Sequence, residues 1–217
     1  MSSNRLPEAE RERQNSKLRQ VWDKDAAGYD KKINWFERRV FGADNRAWAC
    51  SRLRGNILEV AVGTGLNLPL FPADAHVTGI ELSPAMLEVA KQRAAELGRD
   101  VDLQLGDAHK LPFADESFDS ILCTFSLCNI PDVDLAVSEM KRVLKPGGRL
   151  VLVDHVRSSV KPVYWLQRAF ELVSIRSDGD HQTRRPLDQV RAHDFDIEER
   201  ERFKLGIVER LVAVKPQ

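Results

Sequence analysis

Three features able to do chemistry follow three successive apolar runs in this 217-residue chain. The first is a glycine loop, Glu59-Val-Ala61-Val-Gly63-Thr64-Gly65-Leu-Asn67, at the end of the run ILEVAV. Glycines at a strand-to-loop switch let the backbone approach a ligand, and the loop amides can receive a carboxylate. The second is Glu81-Leu82, where an acid at a strand end can accept from both hydroxyls of a ribose. The third is Asp107-Ala108, an acceptor for an exocyclic amine beside an amide that can face a ring nitrogen. Each acid alone would most often be a solvated loop charge. Together, at the carboxyl ends of adjacent strands, they describe a ligand site.

Such a site needs a sheet to position it, and the sequence supplies one. From residue 56 short apolar runs alternate with helical stretches: ILEVAV, HVTGIEL, VDLQLGD, FDSILCTF and GRLVLVD read as five strands. Between them lie SPAMLEVAKQRAAEL, started by Ser83 as N-cap with Pro84 in its first turn, and DVDLAVSEMKRVLK, closed by the Pro-Gly-Gly of 146–148. Strands alternating with helices imply a parallel sheet with right-handed crossovers. IEERERFKL and IVERLVAVK, joined at Gly206, read as a terminal antiparallel hairpin. The expected architecture is one doubly wound, Rossmann-like α/β domain. Its expected parts are helices over 1–54 forming part of a lid, a cofactor-binding core over 55–157, a helical acceptor-side insertion over 158–194 and the hairpin over 195–217. In the first part, one helix is expected over 8–24 and another from about residue 34 to 54, with a break at Gly42. In the insertion a helix is expected around 163–175.

Composition narrows the function. Lys plus Arg equals Asp plus Glu at 33 each, so no overall basic field draws in nucleic acid, and a nucleic-acid acceptor is not expected. Cys50, Cys123 and Cys128 fit neither a disulfide nor a metal framework and read as thiols in a reducing compartment, so the expected location is the cytoplasm and no metal site is expected. No apolar run is long enough to cross a bilayer, which leaves peripheral membrane contact open.

The stretch from Ile57 to Asp154 resembles the class I S-adenosylmethionine-dependent methyltransferases, in their branch similar to the quinone C-methyltransferases, through ILEVAVGTGLN, GIELSPAMLEVA, GDAHKLPFADESFDSI and EMKRVLKPGGRLVLVD. The C-terminal third is similar, less closely, to small-molecule thiol and phospholipid methyltransferases. The resemblance implies a seven-stranded sheet with its last hairpin antiparallel, S-adenosyl-L-methionine as cofactor and S-adenosyl-L-homocysteine as product. It implies the methionine part on the Gly63–Gly65 loop, the ribose on Glu81 and the adenine on Asp107. Tyr29, Glu59, Ala61, Thr64, Asn67, Leu82, Ala108 and Ser126 are expected in the same site. The family usually has glycine where this chain has Ala61. A nicotinamide site would show a third glycine three residues after Gly65, where Leu68 stands. A non-catalytic binding module on this fold is the other alternative.

Methyl transfer from a sulfonium is an in-line displacement that needs alignment and, for several acceptors, loss of a proton. The candidates for that proton are His155, after the fifth strand, and His181, whose neighbour Asp180 is a plausible orienting carboxylate. Each reads equally well as a structural histidine. Cys128 reads as a small buried hydrophobe, because the reaction needs no covalent enzyme intermediate. Trp22, Trp35, Phe36, Trp165 and Phe170 are candidates for an aromatic acceptor pocket, and Arg184 and Arg185 for contact with an anionic acceptor. The expected partner is a small-molecule acceptor whose methylated C, O, S or N atom stays open, and the chain is expected to be a monomer or homodimer.

Overall fold

The computed structural model describes residues 5–217. Seven strands form one sheet in the order β3-β2-β1-β4-β5-β7-β6. Strands β1 (Asn56–Val60), β2 (His76–Glu81), β3 (Val101–Leu105), β4 (Phe118–Thr124) and β5 (Leu144–His155) are parallel to their neighbours. Strand β7 (Val208–Val214) runs antiparallel between β5 and β6 (Asp196–Phe203). The doubly wound sheet and the antiparallel hairpin are therefore as expected. Because β1 lies between β2 and β4, the chain winds outward in both directions from the β1/β4 pair, and open α/β sheets place their ligands at the carboxyl ends on either side of such a switch.

Both faces of the central sheet are covered, which is why β1 and β4 read as near-continuous apolar runs, while the edge strand β3 is partly exposed. On one face α5 (Val133–Val143) and α7 (Pro186–Ala192) pack Val137, Met140, Leu187 and Val190 against Leu58, Ile121, Leu150 and Leu211. On the other, α3 (Asn45–Cys50) and Ala94 of α4 (Pro84–Glu96) cover Ile57, Val77, Leu122 and Val151. Helix α4 starts as the sequence indicates, with Ser83 Oγ accepting the Met86 amide at 3.1 Å.

The N-terminal part is more broken than its periodicity suggests. Helix α1 (Glu8–Asp25) is as long as expected, but α2 (Tyr29–Phe36) begins earlier and passes into a single π-helical turn, Glu37–Phe41, before Gly42 at φ +102° ends it. Pro146-Gly-Gly does not simply stop a helix. Helix α5 already ends at Val143, and the three residues sit inside β5, where its register against β4 shifts. The 158–194 segment is not one acceptor-side unit either. Helix α6 (Lys161–Ser177) and the loop after it lie at the strand ends, whereas α7 belongs to the core through Leu187 and Val190, both fully buried. Seven residues with two apolar positions are too few for a helical period to show.

Candidate active site

A cleft of about 880 Å³, counted out to its open mouth, lies at the carboxyl ends of β1 to β4. Its floor is made by the turns the sequence singled out. Strand β1 ends in Ala61, whose φ of +58° is left-handed. A methyl group is strained in that conformation, which explains why glycine is the usual residue there. Gly63 follows at φ +58°, and a Cβ built on it would project into open space, so this is where the backbone itself forms the wall. Strand β4 ends in the same way at Phe125, φ +51°, whose ring lines the cleft.

The acids stand where the strands leave them. Glu81 is 6% exposed, and its two carboxylate oxygens accept the amides of Gly63 and Ser83 at 2.9 Å each. Burial raises its pKa and these backbone donors oppose the rise. Each oxygen keeps a second lone pair for a ligand hydroxyl. Asp107 accepts the His109 amide at 2.9 Å and faces His109 Nδ1 at 2.7 Å. The other ring nitrogen, Nε2, accepts the Asp132 amide at 3.1 Å, which fixes the proton on Nδ1. Although burial works against it, this histidine holds the Asp107 carboxyl below its usual range.

The N-terminal segment is tied across all three turns. Asn15 Nδ2 donates to Asp107 Oδ2 at 2.8 Å, and Arg19 Nε to the Leu82 carbonyl at 3.2 Å. Asp23 accepts from Ser83 Oγ at 2.6 Å, and Asp30 from Thr64 Oγ1 at 2.6 Å while also pairing with Arg93. Asn15, Leu18, Trp22 and Tyr29 consequently line the cleft.

Of the expected cofactor residues, Tyr29, Ala61, Gly63, Thr64, Glu81, Leu82, Asp107, Ala108 and Ser126 line this cleft, whereas Glu59, Gly65 and Asn67 do not. A Cβ on Gly65 would meet Leu68 Cδ1 at 2.6 Å and Ala90 Cα at 3.3 Å, so that glycine permits the close packing against Leu68 and α4. Glu59 and Asn67 lie beneath the floor in a buried network. Asn67 Nδ2 donates to Glu59 Oε1 at 2.7 Å and to Thr124 Oγ1 at 2.9 Å, and Arg46 Nη1 reaches Asn67 Oδ1 and Thr124 Oγ1 at 3.1 Å each. Arg46 is held from behind by Glu37 at 2.6 Å. Arg46 lines the cleft and was missed in the sequence, as was His109, because no local motif marks a residue whose role comes from a distant strand.

The two histidines fall outside the cleft wall. His155 is 7% exposed, and its Nε2 lies 3.1 Å from Asp180 Oδ1 in a contact too poorly aligned to count as a hydrogen bond. Its Nδ1 is buried without a partner. Burial alone would lower the His155 pKa, but Asp180 and Asp154 outweigh it and raise it. The carboxylate placed beside His181 in the sequence is thus the partner of His155. His181 itself donates its amide to the Cys128 carbonyl at 3.0 Å, and burial and Arg184 lower its ring pKa. Arg184 is half-buried and turned inward: its Nη1 donates to the carbonyls of Leu127, Cys128 and Ile130 and so shapes the loop after β4. Cys128 is buried next to His155 and Asp180, and burial pushes its thiol well up, so it stays protonated. Phe41 stacks on both Phe125 (5.3 Å) and His155 (5.7 Å), separating the histidine from the cleft. Trp165 and Phe170, expected around the acceptor, instead face outward at 67% and 58% exposure.

The cleft suits a cationic nucleoside. Glu81 and Asp107 line it together with the aromatic residues Trp22, Tyr29 and Phe125. Arg46 is its one basic lining side chain other than histidine and is already neutralised by Glu37, so nothing stands ready for a pyrophosphate.

The comparisons with known proteins agree. Residues 58–152 match a family model described as a methyltransferase domain. A phosphatidylethanolamine N-methyltransferase of Cereibacter sphaeroides is 39% identical over 117 residues, 53% of this chain and 58% of that protein. A ubiquinone/menaquinone biosynthesis C-methyltransferase of Geotalea daltonii is 38% identical over 153 residues, 64% of this chain and 63% of that one. The chain thus aligns with about six tenths of the length of these relatives. A solved S-adenosylmethionine-dependent methyltransferase of Thermotoga maritima shares the fold, with a TM-score of 0.70, 24% identity, and coverage of 90% of this chain and 99% of that one.

Proposed function

We propose that the protein, whose residues 58–152 match the methyltransferase-domain family model, transfers the methyl group of S-adenosylmethionine to a small-molecule acceptor, with His155 and Asp180 receiving the proton the acceptor loses. The observation that carries the reading is the convergence of Gly63, Glu81 and Asp107, from three separate strand ends, on one cleft with no free basic group.

When bound, S-adenosylmethionine supplies an electrophilic methyl on a sulfonium. The chain's part is to hold and align it. Glu81 accepts the ribose hydroxyls on the lone pairs its amide donors leave free, and Asp107 with the Ala108 amide reads the adenine edge. The Gly63 turn receives the methionine end. Helix α1 shuts water out above, through Asn15, Leu18 and Trp22. On the acceptor side Phe125, Ser126 and Asn129 form the wall. His155 stands behind it, with its unpartnered Nδ1 as the nitrogen to take a proton and Asp180 beside Nε2 to stabilise the imidazolium.

Turnover to S-adenosylhomocysteine over a panel of thiols, phenols, quinols and amines tests this, together with calorimetry of S-adenosylhomocysteine and NAD. Binding of the nucleoside with no turnover on any acceptor would favour the non-catalytic module, and tighter binding of NAD would overturn the reading.

A further inference from the structure

Helix α6 is inside out. Three of the side chains it turns toward the protein, Gln167, Glu171 and Ser174, are polar, and each is hydrogen-bonded there. Gln167 accepts the Ser158 amide at 2.7 Å and donates to the Val156 carbonyl at 3.0 Å. Glu171 accepts the Thr183 amide and hydroxyl at 3.0 and 2.9 Å, and Ser174 donates to the Asp180 carbonyl at 2.8 Å. Toward solvent it presents Trp165, Leu166, Phe170 and Val173, which are 67, 71, 58 and 63% exposed. A surface helix of a water-soluble domain has the opposite arrangement. The inward face is fully used, so the apolar face is not a core face that slipped outward.

A second exposed pair, Trp35 (58%) and Phe36 (38%), lies on α2. Stacked rings lead from Phe36 through Phe41 to His155, and α6 begins six residues later, so both elements leave from the same end of the sheet.

The charge around these rings has one sign. Lys31, Arg38 and Arg39 flank Trp35, and Arg157, Lys161 and Arg176 lie along α6; all are exposed, and none forms an ion pair among the described residues. The acids of the same two segments are drawn inward: Asp30 onto Arg93, Glu37 onto Arg46, and Glu171 into its buried contact with Thr183 and Arg168. In a chain whose acids and bases balance overall, this is a local concentration of free cations around apolar and aromatic side chains.

We propose that this face docks peripherally on an anionic lipid bilayer, with α6 lying in the interface plane and the basic residues on the headgroups. Aromatic and aliphatic groups on one side with unpaired Lys and Arg beside them is the pattern that binds such a surface. A second copy of the chain is a poorer occupant, because a two-fold contact sets the same cations against each other. No helix among the described residues is long and apolar enough to cross the bilayer, so the contact is with its surface.

The test is co-sedimentation of the purified chain with vesicles of phosphatidylcholine alone and of phosphatidylcholine containing about a third phosphatidylglycerol. The chain should pellet with the anionic vesicles and bind neutral ones at least about tenfold more weakly, and added salt should release it. Trp165→Ser with Phe170→Ser, or Arg38→Glu with Arg39→Glu, should each weaken anionic binding by about tenfold or more. Both variants should leave S-adenosylhomocysteine affinity intact, which shows that they fold. Failure of the wild type to bind anionic vesicles would overturn the proposal. So would light scattering showing a dimer that Trp165→Ser with Phe170→Ser splits while vesicle binding is unchanged.

Discussion

Glu59 gives a stability prediction whose size follows from its surroundings. It is 1% exposed, one oxygen accepts from Asn67 at 2.7 Å, and the other has no partner. Burial pushes its pKa from 4.5 up to about 8, with Asn67 and Arg46 opposing. Between those two values the unfolded chain has released a proton that the folded chain keeps. The folded state then binds more protons, so stability falls as pH rises through this window, by about 1.4 kcal/mol per unit, and levels off once the folded group also ionises. From pH 6 to pH 8 the loss attributable to Glu59 is about 2 kcal/mol. Glu59→Gln copies the protonated acid: its carbonyl still accepts from Asn67, and it cannot ionise. The stability of the variant relative to wild type should therefore rise by about 2 kcal/mol across that interval. Urea unfolding of both proteins at pH 6, 7 and 8, followed by circular dichroism with equal denaturant slopes, measures it. Burial also raises Glu81 and Asp154, so both proteins will lose stability, and only the difference reports Glu59. Parallel curves would show that Glu59 is ionised in the fold and that the reasoning from burial is wrong.

Gly63→Ala and Gly65→Ala should separate the two glycines. The first adds a methyl to open cleft space and should weaken S-adenosylhomocysteine binding with a stability cost of only about 1–2 kcal/mol, whereas the second drives a methyl into Leu68 and α4 and should lower the thermal midpoint much more. Asp107→Ala should weaken S-adenosylhomocysteine by about tenfold to a hundredfold in calorimetry, the range for a charged hydrogen bond. Asn15→Ala should weaken it less, since it removes only the link from α1 to Asp107. If His155 takes the acceptor's proton, kcat/KM should rise with pH as the ring loses its own. Asp180→Asn, by removing the anion that raises the His155 pKa, should move that rise to lower pH, and an unmoved profile would exclude the pair from proton transfer.

The strand ends were legible because their chemistry is local. A parallel strand reads as a short apolar run, and its carboxyl end opens onto the cleft, so Gly63, Glu81 and Asp107 could be placed by counting from the runs. The same locality misled at Gly65, Glu59 and Asn67, which belong to the loop motif but turn inward to α4 and to Thr124.

The sequence by itself determined the sheet, the helices α1, α4, α5 and α6 and the three turns, because periodicity and turn residues act over a few neighbours. Which carboxylate meets which histidine was decided only by tertiary structure. Asp180 adjoins His181 in the chain and pairs with His155, because the loop after α6 is pinned to the turn after β4 through His181 and Cys128. Likewise an apolar stripe on a helix declares that one face avoids water. It does not say whether the other face is already fastened to the protein, as Gln167, Glu171 and Ser174 fasten α6, and that attachment turned Trp165 and Phe170 outward.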